Sequence, residues 1–224
     1  MQAPDMAERR INNKLPVAID GLPFILATAC FVFIFLYARF SFLAVCSGLL
    51  LIFMLFFFRD PERRFEPSEK TILIPADGKI LRIENLEGND NPLGAPGLKV
   101  SIFMSIFDVH VNRVPVSGVV SSIAYHPGKF LLANRDKASE QNERNRISVE
   151  TNEGDRVVFV QIAGFVARRI ACWIKEGDRL LAGQRFGLIR FGSRVDIYLP
   201  EGTHVVAQEG QRVKAGKSIL GYLS

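Results

Sequence analysis

A chain of 224 residues has room for one ordinary domain and a membrane segment, but not for several domains. Its net charge of +5 comes from basic residues scattered through strand-like segments, with no zinc-finger or aromatic RNA-binding signature, so nucleic acid is excluded as a partner and an anionic membrane face is favoured. Cys30, Cys46 and Cys172 have neither metal-ligand spacing nor the arithmetic of a disulfide framework; no metal site is expected, and each reads as a small packing residue.

In chain order, residues 1–20 form a basic segment (Arg9, Arg10, Lys14) read as cytoplasmic. Residues 21–58 carry two apolar runs, Leu22 to Tyr37 and Phe40 to Phe58, with Arg39 the only charge. Crossing a bilayer core takes about 20 apolar residues, so the first run is short and the second is of spanning length. Basic residues before the first run and after the second (Arg59, Arg63, Arg64) place both ends on the cytoplasmic side. A membrane-associated helical hairpin turning near Arg39 satisfies this; a single tilted or re-entrant helix is the alternative. The stretch is too long for a secretory signal and lacks its cleavage site. It also lacks the polar face of a helix lying on a soluble core.

Arg59-Asp60-Pro61-Glu62-Arg63-Arg64 marks an abrupt change of composition, and residues 59–224 read as a mainly β domain. Strands are expected at Thr71–Pro75, Lys79–Glu84, Leu98–Phe107, Val116–Tyr125, Arg146–Thr151, Arg156–Ile162, Arg185–Arg190 and Val195–Leu199. Val, Ile and Phe dominate these segments, turn signals separate them, and long helical periodicity is missing, the pattern of a sandwich or barrel. Glu176-Gly-Asp-Arg-Leu-Leu-Ala-Gly183 is echoed by Glu209-Gly-Gln-Arg-Val-Lys-Ala-Gly216, each copy followed by an apolar strand. This is the hairpin unit of barrel-sandwich domains such as biotinyl and lipoyl carriers, and it speaks to fold, not function. The polar stretch from Asn134 to Arg146 reads as an exposed loop.

Two predicted strands meet at Gly192-Ser193. Such a pair commonly makes a tight turn, but it admits a second reading. Gly192 has no side chain to shield its carbonyl, and the Ser193 hydroxyl lies one residue along, placed to attack it. The resulting ester can eliminate across Cα–Cβ of residue 193, and the dehydroalanine then hydrolyses to a pyruvoyl group and ammonia. That chemistry needs a base. The three histidines are His110, in Asp108-Val-His-Val-Asn-Arg-Val-Pro115, His126, in Tyr125-His-Pro-Gly-Lys129, and His204. Asp77, in Pro75-Ala-Asp-Gly78, is a carboxylate able to orient a histidine.

Pro75-Ala-Asp-Gly78, Asp108-Val-His-Val-Asn-Arg-Val-Pro115, Tyr125-His-Pro-Gly128 and Arg190-Phe-Gly-Ser-Arg194, in that order, closely resemble the motifs of the phosphatidylserine decarboxylase proenzyme family, in its short bacterial and archaeal branch. The resemblance runs from Phe57 almost to the C-terminus. It implies a decarboxylase at the cell membrane, its catalytic domain on the cytoplasmic side, that makes phosphatidylethanolamine from phosphatidylserine in phospholipid biosynthesis. It implies autocatalytic cleavage at Gly192–Ser193 into a large chain, 1–192, and a small chain, 193–224, held as a heterodimer. The implied cofactor is a covalent pyruvoyl group made from Ser193, whose ketone forms a Schiff base with the lipid's amine and accepts electrons as carbon dioxide leaves. Asp77 matches the family's triad aspartate, and His110 matches a motif histidine linked to decarboxylation. Longer members carry a second histidine three positions on, regarded as the base for self-cleavage; here that position is Arg113. The base is therefore His110, the preferred choice, or His126, while His204 has no motif support. Arg59, Arg63, Arg64, Arg168 and Arg169 are candidates for contact with lipid phosphate or the anionic membrane surface, with salt bridges as the alternative.

A membrane-anchored carrier or adaptor on the same fold is the rival reading. Asp136-Lys137-Ala138 mimics a lipoylation tripeptide but falls in the polar loop, not at the tip of a tight hairpin.

Overall fold

After residue 70, β-branched and aromatic residues recur in short runs whose successive side chains turn to opposite faces; Gly78–Leu86 and Gly118–His126 mix buried and exposed positions, whereas Arg156–Ala163 and Arg185–Ile189 are buried almost throughout. In the computed structural model, which describes residues 5–65, 68, 70–88, 91–128, 142–164, 169–190 and 192–224, the chain divides into two units, residues 12–62 and residues 1–11 with 63–224.

In the smaller unit the apolar runs form two helices, at Leu22–Tyr37 and Ser41–Phe57, packed on one another. The chain turns between them at Arg39, which adopts the left-handed φ of 60°. Beyond the helices, Ala18 N–H donates to the Phe58 carbonyl at 2.7 Å and Asn13 Nδ2 donates to the Asp60 carboxylate at 2.9 Å, so the two ends of the hairpin are tied together. Thr28 and Ser47 satisfy their hydroxyls on the carbonyls of Phe24 and Leu43, both at 2.8 Å, which lets them sit in apolar helices. The lengths reverse the expectation. A 3₁₀ turn at Ile19–Gly21 extends the first helix, so among the described residues Ile19–Tyr37 is the one helix long and apolar enough to cross a membrane; Ser41–Phe57 is apolar but shorter.

The larger unit is built of strands. They are β1 (Thr71–Leu73), β2 (Gly78–Leu86), β3 (Gly97–Met104), β4 (Val111–Arg113), β5 (Gly118–His126), β6 (Arg144–Glu150) and β7 (Arg156–Ala163). After these come β8 (Ile170–Cys172), β9 (Arg179–Leu180), β10 (Arg185–Ile189), β11 (Ser193–Pro200), β12 (His204–Val205), β13 (Arg212–Val213) and β14 (Ile219–Tyr222). Eight of them make one antiparallel sheet in the order β13-β2-β3-β11-β7-β6-β5-β9, and two three-stranded sheets, β4-β10-β8 and β1-β14-β12, complete the described strands. The barrel-sandwich-like, mainly β expectation holds. Predicted strand Leu98–Phe107 stops at Met104 because Ser105–Asp108 closes a turn, and the three-residue β4 and β8 are too short to carry a periodic signal. Of the expected loop from Asn134 to Arg146, residues 134–141 lie outside the described residues, and Arg144 already belongs to β6.

The repeat organises both edges of the large sheet. Gly177 N–H donates to Val120 O at 2.9 Å and Gly210 N–H to Ile80 O at 2.8 Å. Glu176 accepts from Ile123 N–H at 2.8 Å and Glu209 from Ile83 N–H at 2.7 Å, each beside a bulge in the strand it caps. The symmetry reaches upstream to Pro75-Ala-Asp-Gly78 and Pro115-Val-Ser-Gly118. Asp77 Oδ1 accepts from Ala215 N–H at 2.8 Å, and Ser117 Oγ accepts from Ala182 N–H at 3.0 Å. Val195, Ile197 and Leu199 of β11 face the main core with Ile102, Phe159 and Phe186, whereas Tyr198 faces a second cluster with Val158, Val160, Ile162 and Leu93.

Candidate functional site

Three connections leave the same end of the large sheet for the small β4-β10-β8 sheet: β3 to β4, β7 to β8, and β10 to β11. The last ends at Gly192 and leads directly into Ser193, the first residue of β11. It runs beside the β3–β4 connection and is fastened to it at both ends. Ser193 pairs with Met104 at the end of β3, and Ile189 N–H donates to the His110 carbonyl at 3.4 Å. His110, separated from Ser193 by 83 positions in the chain, is thereby brought to the same crossover end.

Gly192 adopts a φ of 67°, a left-handed conformation that a side chain would strain, and the space where a Cβ would project is open. Ser193 is fully buried on the core-facing side of β11, flanked in register by Ala163 and Met104. Its hydroxyl donates to Met104 Sδ at 3.2 Å. A thioether is a weak acceptor, so this bond holds the hydroxyl with little resistance to a stronger base.

His110 is also fully buried. Its Nδ1 lies 2.9 Å from the Asp108 carbonyl. A carbonyl can only accept, so the neutral ring carries its proton on Nδ1 and its basic nitrogen is Nε2. A buried amide chain adjoins the site: Asn145 Nδ2 donates to Gln161 Oε1 (3.2 Å), Gln161 Nε2 to Asn112 Oδ1 (2.9 Å), and Asn112 Nδ2 points at Met104 Sδ (3.6 Å). With its oxygen committed to Gln161, Asn112 must turn its NH₂ toward the thioether that holds Ser193. Sequence reading did not find Met104 or these amides; three scattered amides and a methionine leave no spacing signal.

Asp77 stands next to Gly78, which is pressed onto β3: a Cβ at Gly78 would meet Phe103 O at 1.9 Å. Asp77 is buried and accepts from both Arg63 guanidinium nitrogens, at 2.8 Å on Oδ2, as well as from Ala215 N–H. Its carboxylate therefore meets Arg63, whereas the Nδ1 of His110 goes to a backbone carbonyl. Arg113 N–H donates to Pro75 O at 2.9 Å, so position 113 runs beside the segment leading to Asp77, but the Arg113 guanidinium turns to Gly183 O at 2.9 Å. Of the two sequence readings for Arg63, the ion pair is the one found.

His126 ends up elsewhere. Register carries it across to Arg144, Ile162 and Arg194, a row that projects from the face of the sheet opposite Ser193. Three strand spacings, roughly 14 Å along the sheet, separate β5 from β11. Burial, then the charges of Arg144 and Arg146, hold the His126 pKa below its usual value. His204 is exposed in β12 and pairs with Tyr222. Burial pushes the Cys172 thiol up, away from nucleophilic chemistry, in keeping with a packing role. Arg59 lies over the Phe56 ring at 4.0 Å, Arg169 is exposed, and Arg168 and the Asp136-Lys137-Ala138 tripeptide fall outside the described residues. Among the described residues no group of His, Cys, Asp and Glu could hold a metal ion.

Comparison with known proteins agrees with the motifs. The family model described as phosphatidylserine decarboxylase matches residues 50–221. The phosphatidylserine decarboxylase proenzyme of Syntrophus aciditrophicus (strain SB) is 49% identical over 208 residues, 92% of this chain and 96% of its own length. That of Desulfotalea psychrophila (strain LSv54 / DSM 12343) is 46% identical over 214 residues, 95% of this chain and 99% of its own. The Geobacter metallireducens (strain ATCC 53774 / DSM 7210 / GS-15) proenzyme is 44% identical over 218 residues, with the same coverage.

Proposed function

This chain belongs to the phosphatidylserine decarboxylase family, and from that premise we propose that it decarboxylates phosphatidylserine to phosphatidylethanolamine at the cell membrane, through a pyruvoyl group made from its own Ser193. The observation that carries the reading is the pairing of the two crossovers. A buried serine follows a left-handed glycine in one, and a buried histidine with a basic Nε2 lies in the other.

In the proposed self-cleavage, His110 takes the Ser193 proton and the oxygen attacks the Gly192 carbonyl, whose approach is open because residue 192 has no side chain. The Gly192–Ser193 C–N bond breaks as the ester forms, the Ser193 nitrogen takes up the proton, and elimination expels the Gly192 carboxylate before hydrolysis releases ammonia. Burial among Met104 and Ala163 suits a ketone that must be kept from bulk water. When formed, that ketone would supply the electrophile for the lipid's amine and the electron sink for loss of carbon dioxide. His110, already at the same crossover end, is the residue placed to return a proton to the product. His126 points from the other face of the sheet, which favours His110 for both proton transfers. Asp77 acts as a positioning residue: with Arg63 and Ala215 it fixes the turn that presses Gly78 onto the end of β3, where Met104 holds the Ser193 hydroxyl. The large and small chains stay together because β11 is hydrogen-bonded on both sides, to β3 and β7, across the cut. The apolar helices hold the catalytic unit at the membrane, on the cytoplasmic side by the distribution of basic residues.

Intact mass of purified protein tests the cut: two chains, 1–192 and 193–224, the smaller lighter by one ammonia than its sequence. Ser193→Ala should remain one inactive chain, and a cut, active Ser193→Ala protein would refute the proposal. His110→Ala should be uncut and His126→Ala cut; the reverse pattern would reassign the base.

A further inference from the structure

The turn between β3 and His110 has a feature that self-cleavage does not use. Asp108 Oδ2 accepts from Ser105 N–H at 2.8 Å and from Ser105 Oγ at 2.7 Å, and Asp108 N–H donates to Ser105 O at 3.0 Å. These bonds clamp the turn and hold its two central side chains outward: Ile106 is 40% exposed and Phe107 65%. Single exposed apolar residues are ordinary. Two adjacent large ones on a braced turn are different, because the clamp prevents them from folding back into the core. Exposed cations flank them. Arg212, 77% exposed at its side chain, stands 3.6 Å from Asp108, and Lys79 pairs with Arg212 across β2 and β13. Arg169 lies on the neighbouring crossover, where its carbonyl receives Arg190 N–H at 3.3 Å.

We propose that the Ile106–Phe107 turn is an interfacial wedge, which seats the crossover end of the β unit on an anionic bilayer so that lipid headgroups can reach Ser193. This rests on the reading of phosphatidylserine as substrate. A two-chain lipid leaves its bilayer at high cost, and Ser193 is fully buried, so the rim around it must meet the membrane surface. Phe and Ile side chains entering the headgroup boundary, with Arg and Lys beside them for lipid phosphates, have the composition of an interfacial anchor. The braced turn adds little ordering cost on docking. The apolar helices keep the protein at the membrane; the wedge sets how the site meets it.

The test uses the full, self-cleaved chain with the double substitution Ile106→Ser/Phe107→Ser and two forms of substrate. One is long-chain phosphatidylserine in phosphatidylcholine–phosphatidylglycerol vesicles, the other dihexanoyl phosphatidylserine as dissolved monomers. Losing two apolar side chains from the interface should lower turnover on vesicles by about tenfold or more and leave turnover of the monomers as in the parent. Equal losses on both forms, unchanged activity on vesicles, or failure to self-cleave would overturn the wedge. A second variant, Phe107→Trp, reads docking without activity. In vesicles with brominated acyl chains its added fluorescence should be quenched relative to the parent, whose single Trp173 is buried, and less so when phosphatidylglycerol is omitted. An unquenched tryptophan sinks the proposal. A parent inactive on both substrates would instead count against the decarboxylase reading, and the quenching would still judge the wedge.

Discussion

Asp77→Ser separates the scaffolding and chemical roles of the aspartate. Asp77 and Arg63 pair with side chains 10% and 9% exposed. Removing one partner of such a pair strands the other, at a cost of about 3–5 kcal/mol. For a chain of this size that is a fall in Tm of roughly 6–20 °C. The loss should come from the stranded guanidinium and not from the cap on Ala215, because in the other half of the repeat Ser117 caps Ala182 N–H with a hydroxyl at 3.0 Å. The double variant Arg63→Met/Asp77→Ser removes both charges and keeps the cap. It should recover all but about 1 kcal/mol, the share of the Arg63 bond to the Ala215 carbonyl. Melting is read in a Ser193→Ala background, so every variant is one uncut polypeptide, and self-cleavage is followed separately with Ser193 in place. The positioning role predicts that cleavage returns with stability in the double variant. A double variant as stable as expected but never cut would refute it and give Asp77 a direct part in the chemistry.

Gln161→Leu should destabilise by about 2–6 kcal/mol, since Asn112 Oδ1 and Asn145 Nδ2 each lose a buried partner at about 1–3 kcal/mol; a denaturant midpoint like the parent's would contradict the chain. Gly192→Ala should fold, with a penalty of about 1–2 kcal/mol for a side chain at positive φ, and should cleave more slowly on a gel time course. His126 has its folded pKa depressed, so the unfolded state binds its proton more readily below about pH 6.5. It therefore contributes nothing to the pH dependence of stability above that range and weakens the fold as pH falls through it. His126→Gln should flatten the acid side of a Tm-against-pH curve while leaving self-cleavage intact, and an unchanged slope would contradict the shift.

Most of the architecture was legible because its signals are local. Apolar runs interrupted by one arginine make a helical pair, and the Glu-Gly repeat announces the two edge hairpins. The helix lengths came out reversed because the first helix is extended by a 3₁₀ turn through Ile19, Asp20 and Gly21, residues that the apolar run excludes. Gly192-Ser193 could be singled out from motif and position, but the order in which strands pair decides what surrounds it. β11 lies between β3 and β7, and only that register puts Met104 against Ser193 and sends His126 to the far face. The Asp77–Arg63 pair is 14 positions apart, across a stretch whose one strand is the three-residue β1, and the Asn112–Gln161–Asn145 chain joins three strands; neither has a period or spacing to read. The correspondence of Asp77 with Ser117 was visible in principle as Pro-x-x-Gly in both halves, but two short matches mean little until hydrogen bonds on Ala215 and Ala182 show them equivalent.

The claim on which the account turns is that residue 193 itself becomes the carbonyl that captures the lipid's amine. Reduction with borohydride in the presence of phosphatidylserine, followed by mass spectrometry of the small chain, reads this directly. The account predicts a lipid-derived amine joined irreversibly to residue 193. An unmodified serine at that position, in protein that is turning over phosphatidylserine, would contradict it.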